Sequence, residues 1–230
     1  MLTFVGDVWG FALGTLLDQL LAWDYPPPFE YEEGAELREP RAENSHAVAA
    51  VVVLAAIIEA YVRHAVHKEL GGDAANRNGV ADMLGAHLAR VEGGADVPSL
   101  VDEIAELFEA RNAILHSHEW WIDRGRWKTD AWMGRRPGVV AERLVGRGKL
   151  STAAPDRWPK SGLNRIPTWV DVGDVLIGLG LAAEVLELLE RNDLVATPVI
   201  VPLCGEPQPL AMSALKFENA IRARGTTPAS

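Results

Sequence analysis

Four polar side chains crowd the end of one stretch, Glu106-Leu-Phe-Glu-Ala-Arg111-Asn-Ala-Ile-Leu-His116-Ser-His118: Arg111, Asn112, His116 and His118. An imidazole titrates near neutrality, so it can take a proton from a hydroxyl or give one to a leaving oxygen. A guanidinium can stabilise the charge that develops on a phosphorane. A carboxamide can position the phosphate or orient the imidazole. Together these groups suit phosphodiester cleavage in RNA by its own 2′-hydroxyl, without a metal. The chain has no Gly-rich phosphate loop, no CxxC pair and no HExxH. His64 and His67 are three apart on one helix, but two histidines without a carboxylate or thiol do not make a metal set. Neither metal nor cofactor is expected.

A helix must carry this cluster. Pro98 and Ser99 open it, and Leu100, Ile104, Leu107, Phe108, Ile114 and Leu115 supply its apolar positions. Ile104, Phe108 and Leu115 mark one face. Arg111, seven residues after Ile104, falls on that face and is expected to be buried. Burying an unpaired guanidinium is expensive, so Arg111 needs a partner or a task. Glu59, at the end of an earlier apolar helix, is the carboxylate expected to orient it; Glu106 is a second candidate, and Arg63 competes for Glu59. Asn112 and His116 are four apart and share a face, as do Arg111 and His118 at seven apart. Arg111 and His116 are about 140° apart on an ideal helix. They converge if the helix loosens at its end or a second copy contributes its own pair.

The other elements follow from periodicity and punctuation. Residues 2 to 23 have helical apolar spacing, weakened by Gly6, Gly10 and Gly14, and Pro26-Pro27-Pro28 ends them. Residues 29 to 43 read as an acidic surface loop. Asn44 or Ser45 caps a helix to about Leu70. Its first half, Ala47 to Ile58, is apolar all round, as in the middle of a bundle. A shorter helix covers Val80 to Val91. Glycines and prolines break the helical pattern from 119 to 169, with a hairpin expected around Arg124-Gly125. Asp171 or Asp174 begins a last core helix to about Glu190, followed by an extended piece (Val195 to Leu203) and an amphipathic one (Leu210 to Arg222). The expected architecture is all-α: an antiparallel helical bundle with a long irregular insertion before the last core helix. Residues 1–191 form one domain that includes the insertion 119–169, and 192–230 form a C-terminal extension.

Charge qualifies the reading. The net charge of −10 disfavours nucleic acid, but residues 122 to 166 hold eleven Lys/Arg against four Asp/Glu, a local +7, leaving −17 elsewhere. Six of the eight tryptophans lie in or beside this segment, among Arg124, Arg126, Lys128, Arg135, Arg136 and Arg143. Aromatic faces stack bases while cations hold phosphate, so Arg126, Trp127, Lys128, Arg135 and Arg136 are the candidate RNA contacts. The bland alternative is that the tryptophans pack the insertion onto the bundle. Cys204 is alone, and no basic residue opens the N-terminus. The run Ala47 to Ile58 is too short to span a bilayer. The expectation is a cytoplasmic protein without a membrane partner.

Arg111-Asn112-Ala-Ile-Leu-His116 resembles the R-N-x3-H form of the R-x4-6-H motif of HEPN domains. Ile57-Ile58-Glu59-Ala60-Tyr61-Val62 is similar to the acidic-aromatic stretch of an earlier helix in that family. The resemblance extends in outline over residues 44 to 191. It implies an all-α bundle, a homodimer with paired motifs in a cleft, and metal-independent endoribonuclease activity, with His116 as acid/base (His118 also satisfies the looser spacing of the motif), Arg111 as phosphate stabiliser and Asn112 as positioning group. It also implies a toxin or phage-defence setting, with an antitoxin or regulatory protein as partner. Arg41-Ala-Glu-Asn-Ser-His46 has the same spacing but reads as part of the acidic loop. His118 stands two residues after the motif histidine, where a variant of the family has a tyrosine. Two other readings use the same residues: a non-catalytic module that binds nucleotide or RNA, and a helical partner protein whose insertion docks on another polypeptide.

Overall fold

In a computed structural model of the chain, the most apolar run of the sequence becomes the central helix. The structure describes residues 2–22, 44–70, 79–91, 97–115, 157–164, 170–192 and 198–225. These residues form six α-helices and one two-stranded antiparallel hairpin, an all-α fold: α1 (Leu2–Ala22), α2 (Asn44–Leu70), α3 (Val80–Val91), α4 (Val97–Leu115), α5 (Val172–Arg191), β1 (Ile200–Leu203), β2 (Glu206–Pro209) and α6 (Leu210–Gly225).

α2 buries Ala47, Ala50, Val51, Leu54, Ile57, Ile58, Tyr61 and Val62 between α1 and α5, with α3 and α4 also packed on it. By length and composition it is the one described helix able to cross a membrane, yet more than half of its apolar stretch is covered by other elements. The short run Ala47 to Ile58 understated it, since the helix as a whole is 27 residues long. His46 lies in its first turn rather than in a loop. Asn44 lies inside α2, and its Nδ2 donates to Val170 O at 2.8 Å, tying the start of α2 to the approach of α5.

The glycines of α1 do not break the helix; they admit a strand. A Cβ at Gly10 would stand 2.0 Å from Ile200 O, and one at Gly14 would stand 2.1 Å from Pro202 O. One turn further on, Asp18 Oδ1 accepts from Cys204 N at 2.7 Å. Four helical residues advance about 6 Å and two strand residues about 6.6 Å, so every fourth residue of α1 meets every second residue of β1. The pairing of Leu203 with Glu206 and of Val201 with Gln208 turns the odd-numbered main-chain groups toward β2. The carbonyls of Ile200 and Pro202 are thus left on the open edge, which α1 covers. Pro202, Pro207 and Pro209 all occupy positions whose missing N–H costs the ladder nothing. The turn has positive φ at both Cys204 (53°) and Gly205 (79°), the two-residue hairpin geometry. The sequence suggested the extended first strand but not its partner.

Val199, Val201, Leu203, Leu210 and Phe217 share one core cluster with Leu13, Leu17 and Leu20 of α1. Arg224 reaches back to donate to Leu21 O, satisfying a carbonyl at the end of α1.

Candidate active site

α4 carries the described half of the motif. Leu100, Ile104 and Leu107 are buried, and the helix then continues its buried side through Ala110 and Ala113. The expected face of Ile104, Phe108 and Leu115 is therefore corrected. Phe108 is half-buried, Arg111 is half-buried, and Leu115 is 52% exposed. The inner line swings toward Ala110 and Ala113, whose methyl groups allow close packing. Arg111 is left at the margin instead of beneath the core.

Arg111 Nη1 donates to Asn112 Oδ1 at 3.3 Å, and Asn112 is exposed. No carboxylate among the described residues pairs with Arg111. The structure does not bring Glu59 to it: Glu59 Oε1 accepts from Arg63 Nε at 2.8 Å. Arg63 lies one turn away on the same helix, so its guanidinium reaches Glu59 without crossing between helices. Nor is Glu106 its partner. That carboxylate accepts Lys160 N at 3.0 Å and Ser161 N at 2.6 Å. His116, His118, Arg126, Trp127, Lys128, Arg135 and Arg136 lie outside the described residues, as does the hairpin expected around Arg124-Gly125.

The end of the insertion is described and sits against the motif helix. Residues 157–164 make a tight turn closed by the pairing of Arg157 with Asn164, with Trp158 N donating to Leu163 O at 2.8 Å. Trp158 is half-buried against the core, as the packing alternative for the tryptophans expects. Lys160 Nζ lies 3.6 Å from Asp102 on α4.

Asp174 holds the far side of the turn. It is fully buried and accepts Asn164 N at 2.7 Å, Asn164 Nδ2 at 2.8 Å and Asp171 N at 2.8 Å. Asp171 caps α5 in return, accepting from Gly173 N and Asp174 N. Burial pushes the Asp174 carboxyl above the ordinary carboxylate range, against the opposing hydrogen bonds from Asn164 and Asp171. Sequence reading marked Asp174 as a helix start but not as a buried anchor.

A second polar pair went unmarked. His87 on α3 is 2% exposed, and its Nδ1 lies 2.8 Å from Glu69 Oε2 on α2. Its Nε2 is buried without a hydrogen-bond partner among the described residues. His87 falls on the inner face with Val80, Met83, Leu84 and Leu88, so spacing alone could have flagged it. This pair links α2 to α3. Among the described residues no three His, Cys, Asp or Glu side chains form a metal-binding group.

The chemistry available at the described end of α4 is anion binding by a guanidinium braced by a carboxamide, at a solvent-facing helix end that leads directly into His116. Comparison with protein-family models, with curated proteins and with solved structures finds no match for this chain.

Proposed function

We propose that the chain is a metal-independent endoribonuclease of HEPN type that cuts single-stranded or looped RNA, with two copies bringing their motifs together. His116 is the acid/base, Arg111 stabilises charge on the phosphate, and Asn112 positions it; Arg126, Trp127, Lys128, Arg135 and Arg136 hold the flanking RNA. The setting we propose is a toxin or phage-defence effector in the cytoplasm, restrained by an antitoxin or regulatory protein.

The observation that carries this reading is the condition of Arg111. Its guanidinium donates to Asn112 Oδ1 and pairs with no described carboxylate. An arginine retained for a structural ion pair would be matched to a carboxylate; one braced by an amide at a helix end keeps donors for phosphate. Asp102 and Glu109 on the outer side of the same helix repel a polyanion.

The test is incubation of the purified protein with total RNA in EDTA, followed by mapping of 5′-hydroxyl ends. Arg111→Ala and His116→Ala each lower cleavage by about 100-fold or more with unchanged circular dichroism, in line with loss of an acid/base or of charge stabilisation. Cleavage that survives both substitutions, or that EDTA abolishes, sinks the mechanism. Retained RNA binding with no cleavage by the wild-type chain points to the non-catalytic module instead.

A further inference from the structure

The chain leaves α4 after Leu115 and is bonded to the same helix again at Glu106, about 13.5 Å back along the axis. Glu106 is half-buried. Its Oε2 accepts both Lys160 N at 3.0 Å and Ser161 N at 2.6 Å, with Oε1 3.2 Å from Lys160 N. The turn 157–164 uses Trp158 N and Gly162 N to close itself, so the Lys160 and Ser161 N–H groups are what it offers α4. Lys160 Nζ and Asp102 are both more than half exposed, and their 3.6 Å pair adds little. Glu106 thus fastens the turn to the motif helix, as Asp174 fastens it to α5 through Asn164.

We propose, resting on the ribonuclease reading, that Glu106 is a positioning residue: through the turn it fixes the return of the RNA-holding segment relative to Arg111. Arg126, Trp127, Lys128, Arg135 and Arg136 all lie in the chain between Leu115 and Arg157. That stretch starts and finishes on the helix that carries Arg111, so RNA binding has less chain to order and costs less entropy. Glu106 and Arg111 are five residues apart, about 140° round an ideal helix and about 7.5 Å along it. The carboxylate therefore does not act on the guanidinium directly. Its loss falls on substrate binding and leaves the chemistry at Arg111 intact.

The test measures cleavage and binding of a single-stranded RNA oligonucleotide by the full chain in EDTA. Glu106→Ala raises KM and Kd by about tenfold and keeps kcat within about twofold, whereas Arg111→Ala lowers kcat. Hydrogen exchange at Lys160 and Ser161 rises in Glu106→Ala, with circular dichroism unchanged. Because Oε2 alone accepts both N–H groups, the amide oxygen of Glu106→Gln can take its place and keep KM within about threefold of wild type. A KM unchanged in Glu106→Ala overturns the proposal, as does a fall in kcat with KM unchanged. So does a Glu106→Gln as impaired as Glu106→Ala, or a Glu106→Ala that does not fold. A wild-type chain that binds the RNA without cutting it overturns the ribonuclease reading alone, and Glu106 is then judged by the Kd of the same variants. A chain that neither binds nor cuts overturns both.

Discussion

Two segments of non-helical chain dock on helices in this fold, and they do so by opposite means. The hairpin lays the outer carbonyls of Ile200 and Pro202 on α1, where Gly10 and Gly14 have no side chain to obstruct them. The turn 157–164 presents N–H groups to α4 and α5, where Glu106 and Asp174 extend carboxylates to receive them. Outward main-chain groups have to be accommodated in either case. An edge of carbonyls is met by deleting side chains and an edge of N–H groups by adding acceptors. The first solution is steric and has no tolerance; the second is electrostatic and graded.

That contrast orders the expected effects of substitution. Gly10→Ala comes first. Its methyl would overlap Ile200 O, a main-chain atom held by the strand, so the helix and hairpin must separate. The expected loss is about 3 kcal/mol or more, seen as a fall in the urea midpoint. An unchanged midpoint would show that the strand shifts freely and that the docking is not steric.

Asp174→Ala is next, at about 3 kcal/mol, because it strands the buried donors Asn164 N and Nδ2 together with Asp171 N. The loss should speed hydrogen exchange at Asn164 while leaving the α1–hairpin junction protected. Exchange that rises equally at both junctions would mean that the two docks are not separate.

A pH titration gives a smaller effect. Burial raises the Asp174 carboxyl in the folded state, so the folded chain binds that proton more tightly than the unfolded one. The resulting stability is fully present below the unfolded carboxyl value and is lost as pH rises through the folded one. Asp174→Asn, which cannot ionise, should flatten that slope. A wild-type slope unaltered by the substitution would place its origin in other groups.

Smallest is Gly180→Ala on α5, where an added Cβ meets nothing within 4 Å. Removing a helical glycine should stabilise by up to about 1 kcal/mol. A loss in its place would mean that glycine at this helix position serves a purpose other than clearance.

Much of the scaffold was legible in the residues. The span Val80 to Val91, the opening of α5 at Asp171 and the core position of Ala47 to Ile58 all follow from local periodicity and capping, which need no knowledge of neighbours. The site was less so. Arg111 and Ile104 are seven residues apart, which places both on one line of an ideal helix, yet the buried side of α4 turns away toward Ala110 and Ala113. Glu59 was within conceivable reach of Arg111, but an arginine one turn along its own helix takes it.

What the sequence by itself determined is where helices begin and end and which runs are too apolar to face water, because propensity, capping and hydrophobic spacing act over one or two turns. What only the tertiary structure decided is how the glycines of α1 are used, where Glu106 and Asp174 direct their carboxylates, and that His87 meets Glu69. Each of these joins residues that lie on different elements, from Asn164 and Asp174 at 10 residues apart to Gly10 and Ile200 at 190. Such contacts form only when packing brings distant segments to hydrogen-bonding or van der Waals distance.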